Sequence, residues 1–448
     1  MRRRVGQLAL IVATALAVVG LFTFHASAIA EPRYSLSDPG RTAAAAGWTI
    51  GLLFVAYMAG LPDAVRTVGR AVGASFAAPA VTVGVASIIQ LAAGDALLPR
   101  FVVFASLAVM PVVNLLVSLP LVASRGRGAV MAIVLASPDQ LADLERVTER
   151  GVPNMLRIGA TLSVVPGATD TAERLRRAVE VHRPSILVLA DDLMNDSPLA
   201  REAAHLHAEG MRIRTLLGFY EDWFRLVPLS ELADVSLLFD IGEVHSPVYL
   251  RVNRLLDVVA GLTLGLAFIV AVPFVAIGNL LGNRGPLIYS QPRVGKLGEE
   301  FRIHKLRTMV PLRNAGDQAE ETTKTPWTEK DDPRVTPFGK VLRKLHIDEL
   351  PQAANILRGD LSLVGPRPEQ PSYVAELSAI IPFYDHRHLV KPGLTGWAQI
   401  NLGYTSDSQG AREKLQYEFY YLRNQSLPFD LRIVILTLRS LVALRKAR

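Results

Sequence analysis

Four apolar runs crowd the first 123 residues: Val5 to about Ala30, Ala43 to Leu61, Val72 to Ala93 and Phe101 to Ala123. A bilayer core is crossed by about 20 apolar helical residues, so each run is long enough for one span. The first follows Arg2-Arg3-Arg4 and ends in Ala26-Ser27-Ala28, which also fits a secretory signal peptide. Its length and the three runs behind it favour a retained helix. We therefore expect a four-helix transmembrane anchor over residues 1–127. Arg2, Arg3, Arg4, Arg66, Arg70, Arg125 and Arg127 fall on one side of it, against Arg33, Arg41 and Arg100 on the other. That asymmetry puts both ends of the bundle in the cytoplasm. No ionisable residue lies deep in the runs, which argues for an anchor or a dimer surface over a transport path.

A chain of 448 residues with 50% hydrophobic residues is too apolar for an ordinary soluble enzyme and has room for two or three domains. Its formal charge is +7, but the arginines gather beside apolar runs, where they suit anionic lipid and anionic substrates. Nucleic acid is not the expected partner. There is no cysteine, so covalent chemistry must use oxygen or nitrogen.

Beyond Arg127 the pattern changes. Ala132–Ser137, Leu156–Val165, Ser185–Ala190 and Met211–Leu217 read as strands, with Pro138–Arg150, Thr169–Arg183 and Ser197–Glu209 as helices between them. This alternation predicts a small parallel, Rossmann-like α/β domain and connector over 128–250. Ala136-Ser137-Pro138 stands where a dinucleotide fold has its glycine-rich turn, which favours a regulatory or packing module over a nucleotide site. Tyr220-Glu221-Asp222-Trp223 and Val227-Pro228-Leu229 then offer aromatic and acidic groups to dock this domain on the C-terminal segment.

That third segment, 251–448, opens with a helix that is apolar from Val258 to Leu281 and interrupted by Pro273. Proline removes an N–H donor and kinks a helix, and Arg254 and Asp257 lie one turn apart at its start. Glycines around Gly285 and Gly295 then predict a hairpin whose second strand puts Lys305 and Arg307 on one face. Asp317 to Thr336 reads as a mobile loop, and Thr336 to Leu345 as a helix carrying Lys340, Arg343 and Lys344. The carboxylates Asp348 and Glu349 come next, on an expected helix closed by Pro351, and after them the stiff turn Gly365-Pro366-Arg367-Pro368. A carboxylate pair beside fixed cations suits phosphoryl chemistry: one carboxylate attacks phosphorus or holds Mg²⁺, and the guanidinium neutralises the phosphoryl oxygens. The loop Lys391-Pro392-Gly393-Leu394-Thr395-Gly396-Trp397-Ala398-Gln399 offers Thr395 and Gln399 to a nucleotide or sugar. His386 and His388 are either metal ligands or ordinary surface histidines. Lys414–Tyr421 and Leu427–Arg448 are amphipathic, as an interfacial helix on anionic lipid would be.

Taken in order, Arg293-Val294-Gly295, Lys305-Leu306-Arg307-Thr308-Met309, the string from Leu342 to Glu369 and the Lys391–Gln399 loop resemble the bacterial sugar transferases, the polyprenyl-phosphate hexose-1-phosphate transferases in their long form. The likeness runs from about Asn253 to Leu438. It implies a mixed α/β catalytic domain on the cytoplasmic face of the bacterial inner membrane. The apolar helix would be re-entrant, entering at Arg254 and Asp257 and turning at Pro273, because a full crossing would take Asp348 away from cytoplasmic nucleotide sugars. The implied reaction passes hexose 1-phosphate from a UDP-sugar to undecaprenyl phosphate, starting exopolysaccharide or O-antigen synthesis. Asp348 would be the nucleophile, Glu349 and Asp348 the Mg²⁺ ligands, and Arg293, Lys305, Arg307 and Arg367 the cationic wall. A direct ternary-complex transfer and an inactive scaffold for polysaccharide machinery are the rival readings. His346 stands where the family has Ser or Thr, and Asn253 where it has a basic residue.

Overall fold

The computed structural model describes residues 2–31, 33–35, 37, 39–62, 68–93, 98–123, 129–153, 156–164, 170–195, 197–232, 247–282, 286–309, 334–402 and 407–442. They divide into two compact units, Met1–Val130 and Met131–Arg448.

The first unit is built from helices α1 (Arg2–Phe24), α2 (Pro39–Met58), α3 (Val68–Ala93) and α4 (Arg100–Ala123), one for each apolar run. The segments Val5–Ile29, Ala71–Leu91 and Arg100–Ala123 are long and apolar enough to cross a membrane. Helix α2 stops at Met58, three residues short of the expected end, which leaves it the least extended of the four. Val18, Phe22, Trp48, Leu52, Val102 and Met110 fill the core of the bundle. Trp48 Nε1 donates to Ser106 Oγ at 3.0 Å inside it, so the indole's polar atom is satisfied. Among the described residues, the buried polar side chains here are Thr14, Ser75, Thr82, Ser106, Asn114 and Ser118, none charged. Arg66, Arg125 and Arg127 lie outside the described residues.

In the second unit, β1 (Val130–Ala136), α5 (Pro138–Glu149), β2 (Leu156–Ser163), α6 (Thr171–His182), β3 (Ile186–Leu189), α7 (Ser197–Ala208), β4 (Arg212–Thr215) and the short α8 (Leu216–Phe219) follow one another. The sheet order is β2-β1-β3-β4, with β1, β3 and β4 parallel. Strands β1 and β3 are almost wholly apolar because helices cover a parallel sheet on both faces. The turn after β1 is a helix start: Ser137 Oγ accepts from Gln140 N, Gln140 Oε1 accepts from Ser137 N at 2.8 Å, and Pro138 occupies the first turn. The serine and proline that replace a glycine-rich loop therefore cap α5.

The connector packs where its composition suggested. Val227 N donates to Gln416 O at 3.0 Å, Trp397 Nε1 donates to Arg225 O at 3.0 Å, and Glu221 pairs with Arg423 at 3.4 Å. Its remainder, 233–246, lies outside the described residues.

Helix α9 (Pro247–Gly282) runs 36 residues without a break, with Pro273 inside it. Its apolar surface is divided between two faces. Leu255, Val259, Leu262, Leu266, Ile269, Phe274 and Ile277 are exposed along one stripe. Along the opposite stripe a Cβ on Gly261 would strike Leu357, one on Gly278 would strike the Phe338 ring, and Val275 packs with Leu306 and Leu342. Small residues therefore mark the side on which α9 carries the domain.

The hairpin is β5 (Ile288–Val294) and β6 (Glu300–Leu306), antiparallel, with Tyr289 opposite Lys305. Helix α10 (Pro337–Lys344) starts at Thr336, whose Oγ1 accepts from Gly339 N at 2.9 Å. The expected helix around the dyad is instead a 3₁₀ turn, Ile347–Gln352, running into α11 (Ala353–Arg358). Pro351 does not close a helix here but precedes one, since proline is tolerated in a first turn where its missing N–H has no partner to lose. Strand β7 (Ser362–Val364), α12 (Pro371–Ile380), β8 (Gly393–Thr395), α13 (Trp397–Asn401), α14 (Ser408–Arg423) and α15 (Leu427–Val442) complete the unit. Helix α14 buries Leu415, Glu418, Phe419, Tyr421 and Leu422 and is a core helix, which corrects the interfacial reading of Lys414–Tyr421. Of the two C-terminal helices, α15 is the one that keeps exposed apolar residues, Leu427, Leu431 and Leu438, while Arg445, Lys446 and Arg448 lie outside the described residues.

Candidate active site

Strand β6 is locked in place by one side chain. Asn355 Oδ1 accepts from His304 N at 3.2 Å and its Nδ2 donates to Arg302 O at 2.8 Å. Fully buried on α11, Asn355 thereby fixes the strand segment that ends in Lys305. Lys305 Nζ then donates to Glu349 Oε1 at 2.9 Å.

The dyad hangs on a sharp turn after α10. His346 sits at φ 56°, the left-handed region that histidine enters more readily than bulky residues do, and its side chain is exposed. The next residues wind into the 3₁₀ turn and separate the two carboxylates. Glu349 takes Lys305 at 2.9 Å and Arg367 Nη2 at 3.7 Å. Burial would raise its pKa, but these two cations overcome it and hold the carboxyl at about 2. Asp348 is 8% exposed, and its carboxyl makes no hydrogen bond or ion pair among the described residues. Burial, and then the charge of Glu349, push it above the usual range. Of the two carboxylates, Glu349 is clamped by cations and Asp348 is not.

The Gly365–Glu369 loop interlocks with the Lys391–Gly396 loop backbone to backbone. A Cβ on Gly393 would lie 2.0 Å from Gly365 N, and one on Gly396 would lie 2.2 Å from Gly365 O. Only glycine permits that approach. It lets β7 and β8 pair as parallel strands, with Gly365 N donating to Thr395 O at 2.9 Å.

The structure brings together Asp348, Glu349, Lys305 and Arg367. It gives the other expected residues different surroundings. Arg293 turns under the loop, donating to Pro368 O at 3.2 Å and to Gln291 Oε1 at 3.0 Å, with Glu369 at 3.8 Å. Arg307 is half-buried just past the end of β6. Thr395 is 7% exposed and shares a hydrogen bond with Thr437 Oγ1 on α15 at 2.6 Å, so its hydroxyl serves packing. Gln399 sits beneath Pro366 and Arg367, its Nε2 directed at Leu394 O at 3.5 Å. Arg254 donates to Ile356 O at 2.7 Å and Leu357 O at 2.5 Å, capping α11. Asp257 accepts from Ser362 Oγ at 2.9 Å and Leu363 N at 2.7 Å, tying α9 to β7. Both therefore face the domain's own carbonyls and amides. The loop residues 317–333 and the glycine Gly285 lie outside the described residues.

Sequence reasoning passed over Arg387 and Glu418. Arg387 Nε and Nη2 donate to the two oxygens of Glu418 at 2.8 and 2.7 Å, both side chains buried. The available signal was Glu418 itself, a carboxylate set on the apolar face of α14 among Leu415, Phe419 and Leu422.

Among the described residues no group of three or more His, Asp or Glu is placed to hold a metal. Mg²⁺ needs less, because it is commonly held by one or two carboxylates together with substrate phosphates. Glu349, kept ionised by its cations, is a donor of that kind.

The family model for "Bacterial sugar transferase" matches residues 248–444, the stretch that holds every one of these groups. The "UDP-glucose:undecaprenyl-phosphate glucose-1-phosphate transferase" of Caulobacter vibrioides is 40% identical over 192 residues, covering 42% of this chain and 69% of that one. The chain belongs to the bacterial sugar transferase family. Another member, the "UDP-N-acetylgalactosamine-undecaprenyl-phosphate N-acetylgalactosaminephosphotransferase" of Aeromonas hydrophila, is 42% identical over 204 residues, 44% of this chain and 45% of its own length. The similarly named glucose-1-phosphate transferase of Xanthomonas campestris is 39% identical over 165 residues, 36% of this chain and 33% of its own. The chain thus matches less than half the length of these two members of the family.

Proposed function

We propose that this chain transfers hexose 1-phosphate from a UDP-sugar to undecaprenyl phosphate, releasing UMP, as the first step of exopolysaccharide or O-antigen synthesis. The observation that carries this reading is the asymmetry of the dyad: Glu349 bound to Lys305 and Arg367, and Asp348 buried beside it with its carboxyl unpaired among the described residues.

In the first step an Asp348 oxygen attacks the sugar-bearing phosphorus. The bond from that phosphorus to the bridging oxygen breaks, and UMP leaves with the electron pair. In the second step an oxygen of undecaprenyl phosphate attacks the same phosphorus, the acyl phosphate bond breaks, and Asp348 returns as a carboxylate. One phosphoanhydride is lost and one made. Lys305 and Arg367 reduce the repulsion between a carboxylate and an anionic diphosphate, which is the main obstacle to the first step. The burial of Asp348 makes its carboxylate more basic and keeps water from the acyl phosphate. Glu349, with Asp348, would hold Mg²⁺, which when bound supplies charge neutralisation at the phosphoryl oxygens.

Helix α9 supports the placement at the membrane. Between Arg254 and Gly278, about 36 Å at 1.5 Å per residue, one stripe carries the catalytic domain and the other is bare and apolar. The segment Pro247–Leu280 is long and apolar enough to cross a membrane, and the packing of the domain along one stripe supports reading it instead as held in one leaflet with both ends on the cytoplasmic face of the inner membrane. The parallel sheet fits a Rossmann-like regulatory or packing module, and the anchor and this module offer surfaces for a homodimer.

UMP release from UDP-glucose, UDP-galactose and UDP-N-acetylgalactosamine, with and without undecaprenyl phosphate, tests the reading. Lipid-dependent UMP from one of them, lost in Asp348→Asn, is expected. No release by folded protein with Mg²⁺ present would overturn it.

A further inference from the structure

Four consecutive main-chain oxygens of the Gly365–Glu369 loop are each held by a donor. Gly393 N reaches Pro366 O at 2.8 Å, Arg387 Nη2 reaches Arg367 O at 2.9 Å, Arg293 Nη1 reaches Pro368 O at 3.2 Å, and Val294 N reaches Glu369 O at 2.9 Å. The loop side chains are held as well, since Lys414 stands 3.4 Å from Glu369, whose carboxyl is kept ionised by Lys414, Arg387, Arg367 and Arg293.

Among these donors Arg387 is the side chain that is wholly buried. It is 2% exposed, and its guanidinium is fixed in plane by Glu418 on one edge and by the Tyr384 hydroxyl at 2.8 Å on another. A buried ion pair of this kind generally stabilises a core no better than apolar residues of the same volume. What the pair supplies is geometry: a bidentate guanidinium cannot rotate, so the second N–H of its Nη2 points at one place. That place is the carbonyl of Arg367, the residue whose side chain lies 3.7 Å from Glu349.

We propose that Arg387, oriented by Glu418, is a positioning residue that fixes the Gly365–Glu369 loop so that the Arg367 guanidinium meets Glu349 and the donor's diphosphate. The loop placement stands by itself, and its effect on turnover rests on the transferase reading above.

Two measurements on the full-length protein in detergent or nanodiscs test it. The first is hydrogen–deuterium exchange of Arg387→Lys and the milder Glu418→Gln. Lysine keeps the charge but cannot span Glu418 and the Arg367 carbonyl together. Exchange over 364–370 should rise about 10-fold, while the dyad segment 347–358 and the apolar core of α14 stay protected. Unchanged loop exchange, or a rise spread through the whole core, would overturn the proposal.

The second is a double-mutant cycle on UMP release. Arg387→Lys should lower kcat/KM about 10- to 100-fold in the wild-type background and less than about 2-fold in an Arg367→Ala background, because its whole effect passes through Arg367. Equal losses in both backgrounds would contradict it, since a general loosening of the core is indifferent to Arg367. If the wild-type protein releases no UMP from any UDP-sugar, the transferase reading fails, and the exchange result alone decides the positioning claim.

Discussion

Lys305 Nζ lies 2.9 Å from Glu349 Oε1, with the two side chains 23% and 19% exposed. The contact joins β6 to the turn that carries the dyad, and Asn355 holds the same strand through His304 N and Arg302 O. Replacing Lys305 with Met leaves Glu349 with Arg367 as its remaining ion-pair partner among the described residues. We expect UMP release to fall about 100-fold, with a stability loss of about 1–2 kcal/mol, because a partly buried carboxylate loses one of two partners. Kinetics and thermal melts of Lys305→Met and Lys305→Arg check this. Full activity in the Met variant would show that the lysine takes no part.

Asp257 accepts two hydrogen bonds from β7, and one donor is the main-chain nitrogen of Leu363. Asparagine can still accept both through one oxygen, whereas alanine leaves a buried N–H without a partner, at a cost of about 1–3 kcal/mol. Asp257→Ala should therefore melt several degrees lower than Asp257→Asn. Equal melting of the two would mean that these hydrogen bonds do not stabilise the fold.

Much of the site was legible because its parts are contiguous. Asp348, Glu349 and Arg367 fall within one short string, and their proximity follows from the 3₁₀ turn in that string and from the interlock of its Gly365 with Gly393 and Gly396 of the next loop. Arg254, Arg293 and Thr395 sit in equally recognisable strings, yet they face α11, the Pro368 carbonyl and Thr437. A motif shows which residues travel together and does not show which way each side chain turns. The Arg387–Glu418 pair joins residues 31 positions apart, so neither string hints at the other. Helix α9 was plain as an apolar run. Its division into a packed and a bare stripe was visible only in Gly261, Gly265 and Gly278, small residues at near-helical spacing on the packed side.

His388 is 9% exposed, and burial, reinforced by the neighbouring charge of Arg387, lowers its pKa to about 4. Its ordinary value is about 6.5, so between those limits the unfolded chain binds a proton that the folded chain refuses. The stability this group contributes is complete above about pH 6.5 and is lost as pH falls toward 4, on the order of 3 kcal/mol across the window. Melting curves of His388→Asn should lose that part of the acid sensitivity. Parallel curves for variant and wild type between pH 7 and 4 would contradict it.

The covalent intermediate on Asp348 is the centre of the account, and isotope exchange reaches it most directly. Labelled UMP is incubated with unlabelled UDP-sugar and the protein, with Mg²⁺ and without lipid. A covalent phosphosugar lets UMP leave and return, so label should enter UDP-sugar, and Asp348→Asn should abolish the exchange. Wild-type protein that turns over with undecaprenyl phosphate but exchanges no label without it would contradict the account and favour direct transfer in a ternary complex.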